Sequence, residues 1–282
     1  MSFDVVDVFE NFKEMYHHRL TPESLLDGWY HAMGHAPKLR DLCIQDYEQV
    51  NLSWERIALE KVFHRTHQDY VKMTNIHARL KVLIPHMKTR LMSFYPSLNA
   101  VRFVLYHGLG NGAGWAITYL HQPSILLGID KIAALDWSSD EELMRLIAHE
   151  YMHLVHQHYR GELWHFQSAY EAAIMRLYIE GVASYYETEL AALPERLTRW
   201  EAQCEAVEAA LKGHYLEILR QAGVGHERFY GDWHDIEGLS DVGYYLGKRM
   251  VESVLESYTF QELIGAPFTL VERWVKNYLS SL

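Results

Sequence analysis

Two histidines four residues apart, in His149-Glu150-Tyr151-Met152-His153, put two imidazoles and a carboxylate where they can serve one metal ion. On an α-helix residues i and i+4 share a face, so both rings reach the same ion. Glu150 lies about 100° round the helix and borders the position of a metal-bound water. Zinc accepts imidazole and carboxylate ligands, and a catalytic site keeps one position open for water, whose pKa it lowers toward about 7. With 18 histidines in 282 residues the five-letter pattern arises by chance in about one such chain in ten, so the surroundings decide its weight.

The elements around the motif fit a metal helix. Ser139 followed by Glu142 is a capping box, and Asp140, Glu141 and Glu142 fill the first turn, where the helix dipole favours anions. The spacing predicts a helix from about Asp140 to His158. With His149 as zero on the wheel, Leu143, Ile147, Tyr151 and Leu154 fall at roughly 120 to 200°, while His153 and His156 fall within about 40° of His149. The apolar stripe is expected to pack on the core and the histidine face to line a cleft. His156 is too strained in its offset to act as a third ligand and reads as a partner of the ligands or as an exposed residue.

A third protein ligand is required, and Glu180 is the best candidate, on a second helix from roughly Ala169 to Ala192. Gly161 and the stretch from Trp164 to Tyr170 can turn the chain back toward the first helix. Ala173, Arg176, Glu180, Ala183, Ser184 and Glu187 form one small or polar face, opposite Tyr178. Gly181 would let the two helices approach closely, at a cost of about 1 kcal/mol relative to Ala. Glu187 returns to nearly the same face and is the rival ligand; Glu171 points the other way.

His149-Glu150-x-x-His153 with Glu180-Gly181-x-Ala183 downstream resembles the gluzincin division of zinc metallopeptidases, and most closely the YjaZ-like family of zinc-dependent proteases. The resemblance covers roughly Val101 to Met250 and is specific at the two metal motifs. It implies Zn²⁺ held by His149, His153 and Glu180, with Glu150 as general base for hydrolysis of a peptide or protein substrate. Better-known members carry an Asp four residues after the third ligand to support a histidine; this chain has Ser184 there, and Glu187 could substitute. The longer metzincin motif is excluded, because His156 and Tyr159 stand where Gly and His are needed, and the inverted H-x-x-E-H order is absent. Keeping the fold and the zinc while losing activity would make a regulatory or interaction protein, but such a protein has no need of Glu150.

Composition agrees with a cytoplasmic enzyme. Lys plus Arg number 26 against 37 Asp plus Glu, a formal charge of −11, which argues against nucleic acid as a partner. The apolar runs are too short for a membrane span, and Met1-Ser2-Phe3-Asp4 opens on an acidic rather than a signal-like segment. Cys43 and Cys204 are expected to be buried or idle thiols.

The expected fold is α+β and mainly helical, a zincin-like catalytic core with a small sheet before the metal helix, plus an N-terminal helical lobe. Residues 1–95 read as that lobe and 96–282 as the metallopeptidase domain, with the junction at Pro96 to Asn99. Thr21-Pro22-Glu23 starts one helix, Gly34 to Pro37 stops it, and Ser53 opens a long periodic segment toward Pro85. Trp54, Phe63, His64, His67 and Tyr70 read as core and solvated face. Val101 to Tyr106, a stretch around Trp115 to Leu120, and Ser124 to Ile129 read as strands. Gly112-Ala113-Gly114-Trp115-Ala116 is the candidate edge that pairs with extended substrate, by resemblance and by the logic of β-augmentation. The glycine-rich Gly108 to Gly114 segment reads as a flexible loop, not a phosphate cradle. Gly243 and Gly247 would let a downstream helix approach its neighbour. A donor for the oxyanion is also needed, and the resemblance, which puts a Gly-Tyr segment near the site, names Tyr244 or Tyr245, with packing aromatics the other reading. His214, His226 and His234 are further candidates, less well placed in the sequence.

Overall fold

The computed structural model describes residues 2–17, 21–161, 165–194 and 197–281. Trp164, expected in the turn between the two metal-side helices, lies outside them. The architecture is mainly helical with a small mixed four-stranded sheet. Contacts divide the chain into two compact units, Met1–Tyr151 and Met152–Leu282.

The first unit opens on a strand, β1 (Ser2–Asp7), where the sequence predicted only helix. Its partner is β2 (Ala100–Tyr106), nearly a hundred residues away, and no local pattern reports such a pairing. Asp4 faces Arg102 in the parallel register, and Arg102 Nε donates to Asp4 Oδ2 at 3.1 Å in keeping with that alignment. Helices α1 (Val8–Tyr16), α2 (Pro22–Ala32) and α3 (Pro37–Glu48) follow, with Thr21 capping α2 and Pro22 in its first turn as expected. A short α4 (Trp54–Ile57) passes through a π-helical turn, Ala58–Val62, into α5 (Phe63–Phe94). Phe63 is buried while His64 and His67 are exposed, the expected division of core and solvated face.

Helix α5 does not stop at Pro85 but runs nine residues past it. Proline leaves the carbonyl of Lys81 without its helical donor, at a cost of about 3 kcal/mol. Pro85 and Lys81 lie on the exposed face, where water can serve that carbonyl. The buried stripe of Met73, Ile76, Leu80, Ile84, Met87 and Leu91 continues across the proline and holds the helix together.

The sheet order is β1-β2-β4-β3, with β3 (Gly114–Tyr119) and β4 (Gln122–Gly128) joined antiparallel and β4 parallel to β2. Phe103, Val104, Leu105, Ile125, Leu126 and Leu127 are fully buried, so β2 and β4 form the covered centre. Apolar residues on both faces are what a central, mainly parallel pair requires. β3 is an edge strand, and the candidate edge Gly112 to Ala116 overlaps its start. Helix α6 (Ile129–Ala134) leads from the sheet to α7 (Asp140–Arg160).

The second unit is helical: α8 (Ala169–Leu190), α9 (Arg199–Ala206), α10 (Glu208–Arg220), α11 (Val242–Leu255), α12 (Phe260–Ile264) and α13 (Phe268–Ser280). Its densest packing joins α8 to α11. A Cβ at Gly181 would lie 2.3 Å from the Gly247 carbonyl oxygen, and one at Gly247 would lie 2.4 Å from that of Leu177. Gly181 therefore admits α11, not α7, toward which the sequence directed it. Gly243 and Gly247 do permit close approach: a Cβ at Gly243 would strike the Tyr230 ring at 2.4 Å.

Candidate metal centre

Helix α7 begins as its sequence requires. Ser139 N–H donates to Glu142 Oε2 at 2.9 Å and Glu142 N–H to Ser139 Oγ at 3.2 Å. Leu143, Ile147, Tyr151 and Leu154 are buried, as the apolar stripe demands. The histidine face is covered too: His149 is 9 %, His153 6 % and His156 0 % exposed. Histidines enclosed to this degree need partners, and α8 supplies the third member of a set.

Ligand atoms of His149, His153 and Glu180 all lie within 4.8 Å of one another. His153 Nε2 stands 3.2 Å from Glu180 Oε2. Zinc bonds of about 2.0–2.2 Å in a tetrahedron place neighbouring donors about 3.3–3.5 Å apart, so this spacing and the two-imidazole, one-carboxylate set fit the ion. Of the alternatives, Glu171 is engaged at the start of α8, accepting from Gln167 N–H at 2.9 Å. Glu187 is half-buried one further stretch along α8 and is not part of the set. Ser184 is buried one turn beyond Glu180.

Asp7, Glu10 and His77 make a second gathering of such atoms. Lys81 Nζ lies 3.2 Å from Asp7 and Lys13 Nζ 3.0 Å from Glu10, so ammonium groups already supply its cations. Asp7 also caps α1. This gathering is an ion-pair network that ties α1 to α5.

Glu150 packs against the start of the edge strand. A Cβ at Gly114 would lie 2.5 Å from Glu150 Oε1 and 2.7 Å from its Cγ, so only glycine leaves the carboxylate its space. The segment leading to Gly114 is not the flexible loop that its glycines suggested. Asp130, buried, accepts from Gly108 N–H at 2.5 Å and Gly110 N–H at 2.6 Å. Trp29 Nε1 donates to the His107 carbonyl at 2.8 Å, Tyr47 to that of Leu109 at 2.5 Å, and Asn111 Nδ2 to that of Cys43 at 2.9 Å. The glycines allow tight turns that side chains from three other places, with Asn111 of the segment itself, then pin. Asp130→Ala leaves two amides without their acceptor and is expected to cost about 3 kcal/mol, with Asp130→Asn costing less, read from urea unfolding midpoints.

His156 is held rather than exposed. The Tyr178 hydroxyl donates to the Leu263 carbonyl, which leaves its oxygen to accept from His156 Nε2–H at 3.2 Å. Burial, with help from Arg160 and His153, drives the His156 pKa well below its usual value, so the ring is neutral. Both thiols are buried as expected, and burial pushes that of Cys204 up to about 12.

The two tyrosines named as oxyanion donors separate. Tyr245 is buried, its hydroxyl donates to Glu208 Oε2 at 2.6 Å, and its ring meets Trp200; it belongs to that pair and not to the metal set. Tyr244 is half-buried with its ring on the edge of Tyr230. Tyr230 is buried, which pushes its hydroxyl pKa well above its ordinary range, and that hydroxyl lies 3.3 Å from the hydroxyl of Tyr215. His214 pairs with Glu237 at 2.7 Å, His226 lies buried with Nδ1 3.0 Å from the Gly223 carbonyl, and His234 is exposed.

Sequence reasoning placed Arg176 on the polar face of α8 but gave it no role. Its Nε lies 4.0 Å from Glu180 Oε1, and its guanidinium sits 4.3 Å over the Tyr230 ring. The i, i+4 spacing to Glu180 was the available signal. The two Glu180 oxygens are thus divided, Oε2 toward His153 and Oε1 toward Arg176. The chain matches no family model, no curated protein and no solved structure.

Proposed function

We propose that this chain is a zinc-dependent peptidase of the gluzincin type, resembling the YjaZ-like proteases. The observation that carries the reading is the gathering of His149, His153 and Glu180 ligand atoms within 4.8 Å, from two helices and widely separated sequence. Support also comes from Glu150 lying against Gly114 at the head of an edge strand, where general base and substrate backbone would have to meet.

His149, His153 and Glu180 would hold the ion, which when bound supplies a Lewis acid and lowers the pKa of water. Glu150 accepts a proton at its carboxylate and returns it to the leaving amine. Its burial at 7 % exposure removes competing water and keeps the carboxylate in one place. β3 offers its outer edge for backbone pairing with an extended peptide, and the pinned 108–113 segment keeps that edge from drifting.

Gly114→Ala forces the Glu150 carboxylate aside and is expected to lower kcat about 10- to 100-fold with zinc content unchanged. Unaltered kcat in the folded variant would argue against Glu150 acting from this position. The reading as a whole is tested by incubating the zinc-loaded protein with a mixed peptide library. Cleavage that stops on chelation and returns with Zn²⁺ supports it; no cleavage of any peptide by stoichiometrically loaded protein sinks it.

A further inference from the structure

Arg176 carries five N–H donors, yet among the described residues its guanidinium makes no hydrogen bond, and its buried Nε has no acceptor. Its surroundings hold it in one pose. The Tyr230 ring stacks on it at 4.3 Å, and Glu180 Oε1 stands 4.0 Å from Nε, near enough to attract and too far to accept a hydrogen bond. With its side chain 30 % exposed, the planar fork is open to an incoming group. A fixed, half-buried guanidinium beside a metal-ligating carboxylate, with its donors unspent, is a preorganised receptor for a carboxylate.

Charge counting points the same way. Once zinc is bound, its two positive charges and Arg176 stand against Glu150 and Glu180, which leaves the immediate site at a net +1 in a chain of formal charge −11. An anionic group on the substrate is complementary to that local excess.

Resting on the peptidase reading above, we propose that Arg176 receives a carboxylate of the peptide substrate, placed within about two residues of the cleaved bond. That distance follows from the short span between Arg176 and Glu180, since an extended chain advances about 3.5 Å per residue. The carboxylate has two sources, the free C-terminus of a short peptide or an acidic side chain. The first makes the enzyme trim from C-terminal ends, and the second makes it cut beside Asp or Glu.

Three peptide hydroxamates of identical backbone test this by calorimetric titration into the zinc-loaded protein. One ends in a free carboxylate, one in an amide with a neutral side chain, and one in an amide with an Asp side chain. One of the two carboxylate probes is expected to bind about 10- to 100-fold more tightly than the neutral probe, and which one does so identifies the source. In Arg176→Met the preference is expected to fall to within about threefold, and Arg176→Lys, which keeps the charge but not the fork, to retain part of it. Equal binding of all three probes by wild type overturns the Arg176 proposal and leaves the metal site standing. A preference that survives in Arg176→Met also overturns it. If no hydroxamate binds at all, the metal-peptidase reading fails and this proposal fails with it.

Discussion

Glu150→Gln is expected to lower kcat for peptide hydrolysis by about 10²- to 10⁴-fold while zinc binding stays at the wild-type level. Gln has the shape of Glu, so it keeps the contact with Gly114 and the packing of α7. What it loses is the ability to accept a proton. Glu150 is not part of the set of atoms that would hold the ion, so affinity for zinc is the internal control. The loss is expected in kcat more than in KM, because the base acts as the proton moves and not when substrate binds. Hydrolysis retained within about threefold in a zinc-loaded Glu150→Gln protein would remove Glu150 from the chemistry.

The part of this site that was legible in sequence is the part written in helical periodicity. The capping box at Ser139 and Glu142, the apolar stripe of α7 and the i, i+4 histidines are local, and each stands where its spacing put it. The closeness of Glu180 to the two histidines was foreseeable because α8 also has a readable period. β3 was legible as a short strand between Gly and Pro clusters, and its edge position was expected only by resemblance and the logic of β-augmentation. β1 was not, since Ser2-Phe3-Asp4-Val5-Val6-Asp7 becomes a strand only through pairing with β2. The Gly108 to Gly114 segment misled in the opposite direction: glycines signal a turn, but rigidity comes from Asp130, Trp29, Tyr47 and Asn111, whose aim is set by tertiary structure. Gly181 was correctly read as a point of close approach and assigned to the wrong neighbour, because a glycine does not say which helix it admits. Tyr244 and Tyr245 are adjacent, and only the fold shows that Tyr245 is spent on Glu208.

Gly181→Ala is expected to destabilise the protein by about 3 kcal/mol or more, one of the largest effects of any single methyl group in the chain. The added Cβ would lie 2.3 Å from the carbonyl oxygen and 2.4 Å from the carbonyl carbon of Gly247. Both are backbone atoms, so no side-chain rotation relieves the clash, and α8 and α11 must move apart. Gly247→Ala meets the Leu177 carbonyl and the Gly181 backbone and is expected to behave alike. Because Gly181 is next to Glu180, separating the helices would also displace the proposed ligand, and zinc affinity should fall with stability. Gly213→Ala in α10 is the control: nothing lies within 4 Å of a Cβ there, and the change should raise stability by about 0.5–1 kcal/mol through helix propensity. Urea unfolding of the three variants measures this. A Gly181→Ala protein within about 0.5 kcal/mol of wild type would mean that the helices do not meet at these glycines.

The central claim, that His149, His153 and Glu180 form one zinc site, is tested most directly by zinc titration of wild type, Glu180→Gln and Glu187→Gln. The expected result is stoichiometric binding in wild type and Glu187→Gln, with affinity lowered about 100-fold or more in Glu180→Gln. Folded wild type that takes up no zinc, or a Glu187→Gln protein that loses the ion while Glu180→Gln keeps it, would contradict that claim.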